Sequence, residues 1–310
     1  MIQKEEFYFD SRDRGSKIRA VKWVPETEYP VCIVQIVHGM AEYIDRYDEF
    51  ARYLAGKNIL VVGDDHLGHG KTVPEGGTYG YFCKEDAATV LVRDEHRLKK
   101  IMQEQYPGIM YLILGHSMGS FILRNYLFRY GSGIDGAILV GTGMTPKVSL
   151  SAGRMIAAVQ KLFFGDKHEA HLINTIAFGG YNKKFSPNRT PVDWLSREKT
   201  NVDRYVSDPL CGFTFTVNGF SALFELISNC HDQEKIEKIP KRLPVFIISG
   251  DEDPVGDYGK GVEKTYQSFV NHGVANVQMK LYENDRHELL NETDRERVYG
   301  DIYRWILQRI

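Results

Sequence analysis

The chain has 310 residues, 43% of them apolar and 26% charged, a balance that supplies a sizeable core and excludes a disordered chain. Its 39 basic and 41 acidic residues are interspersed, with a formal charge of −2, so it presents no basic footprint for a nucleic-acid partner. The opening MIQKEEFYFDSRDRG has no apolar h-region, no stretch reaches the roughly 18 apolar residues of a membrane span, and the four cysteines lack CxxC spacing, which together lead to the expectation of a soluble cytoplasmic protein with reduced thiols.

Alternating residues 6–10 and 17–24 flank the turn-like Ser11-Arg12-Asp13-Arg14-Gly15 and predict an antiparallel hairpin. Short apolar runs then follow at 31–37, 59–62, 110–114, 134–140, 245–248 and 277–282, the mark of strands buried on both faces. Helix-like segments at 47–55, 87–106, 118–130 and 262–270 separate most of them. Such alternation predicts an α/β fold, a mostly parallel sheet with helices on both faces. Between 140 and 245 no buried strand is evident. The segment 145–240, which includes KLFFG and FTVNGFSALFELI, is therefore expected to be a helical cap inserted into a core formed by 1–144 and 241–310. No internal repeat or low-complexity tract is present.

The chemistry concentrates in Gly115-His116-Ser117-Met118-Gly119, which fits G-x-S-x-G with a buried strand before it and an amphipathic helix after it. A sharp strand-to-helix turn exposes the serine at the sheet's carboxyl edge, and the flanking glycines let neighbouring backbone pass. Gly131 is expected to stop the following helix. The Met118 N–H, first in that helix, suits an oxyanion. A second donor is expected from the loop after the strand 31–37, where His38-Gly39-Met40 offers the Met40 N–H.

Serine needs a base and an acid, in the order Ser, Asp, His. His287, just past the last strand in ENDRHE, is the expected base. His116, adjacent to the nucleophile, is set aside because its side chain points away from the neighbouring hydroxyl. For the acid, Gly250-Asp251-Glu252-Asp253-Pro254 presents three carboxylates. Asp253 is preferred because the proline fixes the loop, with Asp251 as the alternative. In DHLGHG, residues 65–70, His66 and His69 lack companion ligands at metal-site spacing, so this segment reads as loop architecture and no metal or other cofactor is expected.

With HGMAEYIDRY, DHLGHG, GHSMGS, VDRYVSDPL, GDEDPV and RHELLNE in view, the chain resembles the α/β-hydrolases of the monoacylglycerol lipase and lysophospholipase-like group, the serine aminopeptidase-type hydrolases. The resemblance spans nearly the whole chain. It implies a triad of Ser117, Asp253 and His287, with oxyanion donors at Met40 and Met118. Glu42 and Arg46 match a polar pair near the pocket, for which a surface ion pair is an equal account. Two positions depart from the group: Ser120 replaces a glycine, and Leu290 stands where a second histidine faces glycerol. The implied function is hydrolysis of carboxylic esters of apolar acyl chains, monoacylglycerol or lysophospholipid-like, on a small-molecule ester or lipid substrate. A thioesterase or an aminopeptidase would use the same residues, and a ligand-sensing binding protein could retain them. Phe163, Phe164 and Phe224 are candidates for peripheral membrane contact, with buried packing the default expectation.

Overall fold

In the strands at the centre of the molecule, successive side chains enter opposite cores. A computed structural model describes residues 2–27 and 29–310. Its elements, in chain order, are β1 (Gln3–Asp10), β2 (Lys17–Val24), β3 (Cys32–Val37), α1 (Asp48–Ala55), β4 (Ile59–Asp64), α2 (Ala87–Gln105), β5 (Met110–His116), α3 (Met118–Tyr130) and β6 (Gly136–Val140). They continue with α4 (Lys147–Phe164), α5 (His171–Phe178), α6 (Lys199–Ser207), α7 (Val217–Asn229), α8 (Gln233–Ile236), β7 (Val245–Gly250), α9 (Lys260–Asn271), β8 (Val277–Tyr282) and α10 (Arg295–Leu307). The eight strands form one sheet in the order β1-β2-β4-β3-β5-β6-β7-β8. It is parallel from β4 to β8, while the opening hairpin is antiparallel.

The period of two explains why the strands read as unbroken apolar runs. Ile33, Leu60, Val62 and Ile113 enter one core with α2, α3 and α9. Val34, Ile36, Val61, Leu112 and Leu114 enter the other with α1 and α10. The predicted elements are present, three of them with the expected bounds and the rest with ends shifted by at most three residues.

Helix α10 is an addition to those elements. Its buried Val298, Ile302, Trp305 and Ile306 recur at helical spacing, so the signal was in the sequence, diluted by intervening charges. Gly131 also differs from expectation. It does follow the end of α3, but with a right-handed φ of −58°, and it opens a short 3-10 turn. Its constraint is proximity, since a Cβ there would stand 2.8 Å from Pro240 Cδ.

Between β6 and β7 lie α4 to α8 and an isolated bridge pairing Glu169 with Thr216. Two buried side chains of α3 tie this segment down. Arg124 donates to the Gly143 and Cys230 carbonyls at 2.9 and 3.2 Å, and Asn125 donates to the Leu226 carbonyl at 2.9 Å. Among the described residues no helix is long and apolar enough to cross a membrane. The cysteines are unpaired, with Cys32, Cys83 and Cys230 buried and Cys211 half-buried.

Ile302 is fully buried where α10 meets the sheet. Ile302→Ala is expected to cost about 2–5 kcal/mol of stability. Denaturant unfolding measures this, and a loss below about 0.5 kcal/mol would show that α10 contributes little to the core.

Candidate active site

Ser117 leaves β5 with φ 54° and ψ −120° and immediately starts α3. An L residue rarely adopts such backbone angles, and holding them costs of order 1–3 kcal/mol. The turn closes because neighbouring positions lack side chains. A Cβ on Gly115 would collide with the Gly119 carbonyl, and one on Gly119 would collide with the Val37 carbonyl. The Ser117 N–H donates to the Val140 carbonyl at 2.9 Å, which anchors the turn to β6. Ser120, the departure from the family glycine, fits because its hydroxyl donates to the Ser117 carbonyl at 2.6 Å.

The loops after β7 and β8 meet beside this turn. His287 Nδ1 lies 2.9 Å from Asp253 Oδ2, both side chains being buried. Asp253 also accepts from the Val255 N–H at 2.8 Å and the Ser249 hydroxyl at 3.2 Å. Asp251 instead accepts from the Asn284 N–H at 2.7 Å and braces the neighbouring loop. Of the competing carboxylates, Asp253 is the one brought to the imidazole. Gly141, just past β6, makes room for that ring, since a Cβ there would stand 3.0 Å from His287 Cε1.

The segment after β3 approaches from the other side. A Cβ on Gly39 would stand 3.1 Å from Ser117 Cβ, so the backbone carrying the Met40 N–H runs directly past the serine. The Met118 N–H opens α3, where no earlier turn supplies an acceptor. Three histidines hold the first of these segments in shape. His66 N–H donates to His38 Nε2 at 3.1 Å, His38 Nδ1 faces the Gly39 carbonyl at 2.8 Å, and Ala41 N–H donates to His69 Nε2 at 3.3 Å. Burial holds His69 neutral, with its pKa lowered to about 3.

Ser117, His287, Met40 and Met118 all line one cavity of about 890 Å³. The rest of its lining is largely apolar, with Phe121, Leu150, Ile173, Phe220 and Phe224 contributed by α3, α4, α5 and α7. Its near end carries Glu42, His116, Glu288 and Trp194, whose ring lies 5.2 Å from that of His287. A mostly apolar pocket with a few convergent polar groups is the usual form of a small-molecule site.

Three expectations require correction. Glu42 and Arg46 do form an ion pair, at 2.7 Å, but their side chains are only 3% and 9% exposed, so it is not a surface contact. Arg46 is held from the opposite side by Glu288, at 2.8 and 2.7 Å, and Asn201 donates to Glu288 at 2.6 Å. The Tyr205 ring lies beneath the guanidinium. Burial opposes charge on both carboxyls, yet Arg46 holds Glu42 well below the usual carboxylate range and lowers Glu288. Leu290 does not face the cavity. It is buried against α10, and its carbonyl accepts from Tyr299 at 2.8 Å, so it is a core residue and not a substrate contact. Phe163 and Phe164 are 73% and 63% exposed, contrary to the buried default, which holds only for Phe224.

Glu288, Asn201 and Trp194 were not apparent from the sequence, because no local pattern announces a partner some 242 residues away. His116 proves to be a positioning residue. Its Nε2 faces the His287 carbonyl at 3.3 Å, and its Nδ1 faces Glu42 at 3.1 Å and Tyr47 at 2.9 Å. Tyr47 itself donates to Glu42 at 2.8 Å, so both ring nitrogens face acceptors and the cationic ring fits best.

Residues 29–294 match the sequence family described as serine aminopeptidase, S33. Among curated proteins, the monoglyceride lipase homolog of Monkeypox virus is 30% identical over 292 residues, 93% of each chain. The monoglyceride lipase of Homo sapiens is 30% identical over 299 residues, 93% of this chain and 86% of the other. Among solved structures, a highly thermostable carboxyl esterase from Bacillus coagulans, in complex with glycerol, is similar at a TM-score of 0.92 and 31% identity, over 100% of this chain and 99% of the other.

Burial acts to lower the His116 pKa, but Glu42 more than offsets it and the value lies above the ordinary one. Stability from such a group is fully present below its unfolded pKa of about 6.5 and is lost as pH rises through the folded value. His116→Gln should therefore fall furthest short of the wild type near about pH 6 and least near about pH 9. Paired thermal melts across that range measure the gap, and a gap independent of pH would contradict the assignment.

Proposed function

The chain belongs to the serine aminopeptidase, S33, family, in the monoacylglycerol lipase-like group of α/β-hydrolases, and on that premise we propose that it hydrolyses carboxylic esters of apolar acyl chains through an acyl-enzyme. The observation that carries this reading is the buried 2.9 Å contact between Asp253 and His287, beside Ser117 at the polar end of an apolar cavity.

In the proposed reaction Ser117 Oγ attacks the ester carbonyl carbon while His287 Nε2 takes its proton. Asp253 fixes the ring tautomer through Nδ1 and stabilises the imidazolium. The carbonyl oxygen, now anionic, accepts from the Met40 and Met118 N–H groups, each lowering the barrier by about 3 kcal/mol. Collapse breaks the ester C–O bond, and the leaving alcohol receives the proton from His287. Water then attacks the acyl-enzyme by the same route, releasing the acid and restoring Ser117.

The apolar end of the cavity supports an acyl chain, with about 0.8 kcal/mol gained for each methylene buried. The alcohol would lie at the end lined by Glu42 and Glu288. Monoglyceride lipases are among the chain's relatives, which favours a monoacylglycerol, while a lysophospholipid retains the same acyl ester. The exposed faces of α4 and α5 support contact with lipid aggregates. Val148 and Ile176 both line the cavity and are 82% and 62% exposed, and Leu162 and Phe163 extend the same apolar surface.

Ser117→Ala is expected to lower kcat on a p-nitrophenyl ester by roughly 10⁶-fold, and Asp253→Asn by on the order of 10⁴-fold, without loss of fold. Saturable binding with no turnover by the wild type would contradict the enzyme reading. A clear preference for matched thioesters or aminoacyl amides would contradict the ester assignment.

The double variant Leu162→Ser with Phe163→Ser should lose at least about tenfold in activity on emulsified monoacylglycerol. Hydrolysis of dissolved p-nitrophenyl acetate should be unchanged. Equal effects on the two substrates would argue against interfacial docking.

A further inference from the structure

Behind the segment that carries Met40, three buried side chains converge without an aligned hydrogen bond among them. Asp64 ends β4, His66 follows two residues later, and Glu95 projects from α2. His66 Nδ1 lies 3.0 Å from Asp64 Oδ1 and 3.1 Å from Glu95 Oε1, and all three side chains are at most 2% exposed. Among the described residues neither oxygen of Asp64 accepts a hydrogen bond, nor does Glu95 Oε1, and neither contact lies along a His66 Nδ1–H bond. Idle carboxylate oxygens this deeply buried are costly unless something of positive charge sits among them.

The surroundings pre-set these groups as ligands. His66 Nε2 faces the His38 carbonyl at 3.2 Å, which only accepts, so Nε2 keeps its proton, and Nδ1, which faces two carboxylate oxygens, is the nitrogen whose proton a bound cation would replace. The far oxygen of Glu95 accepts from Gln35 Nε2 at 2.5 Å, and the Gln35 amide is itself oriented by the Tyr111 hydroxyl at 2.6 Å. This leaves Oε1 directed at the cluster. Metal bonds of about 2.0–2.2 Å place neighbouring ligand atoms roughly 3.0–3.4 Å apart, the spacing found around Nδ1.

We propose that Asp64 Oδ1, His66 Nδ1 and Glu95 Oε1 hold a divalent cation of the zinc class. Two carboxylates and a neutral imidazole carry a charge that such an ion cancels, and the nitrogen and oxygen donors suit zinc or manganese. Buried beneath the sheet's carboxyl edge, the ion touches no substrate. It fixes His66, whose N–H holds His38 and through it the backbone at Gly39. Its role is to pin the loop beside Ser117. His69, the histidine that shares the DHLGHG segment, takes no part, which is why local ligand spacing gives no warning of the site.

The assignment is independent of the ester-hydrolase reading and is tested without an activity assay. Untagged wild-type protein is unfolded in guanidinium with a chelator, refolded with Zn²⁺, with Mn²⁺ or with neither, and desalted. Elemental analysis should find about one ion per chain, with Tm raised by roughly 5 °C over the metal-free sample. Asp64→Asn and Glu95→Gln should retain less than about a tenth of that metal. Refolded wild type that retains neither ion and melts at one temperature throughout would overturn the proposal. Variants that retain as much metal as the wild type would overturn it as well. Should the variants fail to fold, the wild-type comparison decides alone.

Discussion

Ser117 occupies a backbone conformation that its own side chain disfavours, and the arrangement of the site follows from the means by which the fold maintains it. The angles of 54° and −120° are held by a hydrogen bond to β6, by the start of α3 and by glycines too crowded to accept a methyl group. Strain of this kind persists only where the surroundings over-determine it. Here the surroundings are the central parallel strands, so the hydroxyl is carried by the buried middle of the sheet. The loops that bring Asp253, His287 and Met40 all leave the same edge of the sheet, which is where open α/β sheets place their ligands.

A second layer of buried charge supports the first. Glu42, Arg46, Glu288, Asn201, Tyr47 and His116 form one connected set behind the His287 backbone. Removing one member would strand the charge of another, a far larger penalty than the net worth of any single pair. The set also joins parts of the chain that approach from different directions: the segment after β3, the loop after β8 and helix α6. A change in the position of α6 would thus be felt at His287 through Glu288, its neighbour in sequence. The polar end of the cavity is in this sense a structural joint.

The strands and the serine turn were legible because their physics is local. Burial on both faces forces continuous apolar runs, and the turn forces glycines at fixed offsets around Ser117. Helix α10 was equally local in its spacing, although charges between its apolar positions obscure it. What was not legible depends on distance along the chain. Asp251 and Asp253 share one loop, and only the approach of β8 distinguishes the carboxylate that reaches His287 from the one that braces Asn284. Glu42 and Arg46 look like a surface pair until Glu288 covers them. Leu290 appears to replace a pocket residue, yet it packs against α10, because one residue in a tight 3-10 turn separates cavity from core.

The central claim is that His287, oriented by Asp253, makes the Ser117 hydroxyl uniquely nucleophilic. The most direct measurement is reaction with an alkyl fluorophosphonate followed by peptide mapping of the adduct. The account predicts a single adduct on Ser117, formed far more slowly in His287→Ala and Asp253→Asn although both variants remain folded. Modification of some other residue, or labelling of Ser117 at the same rate in all three proteins, would contradict it.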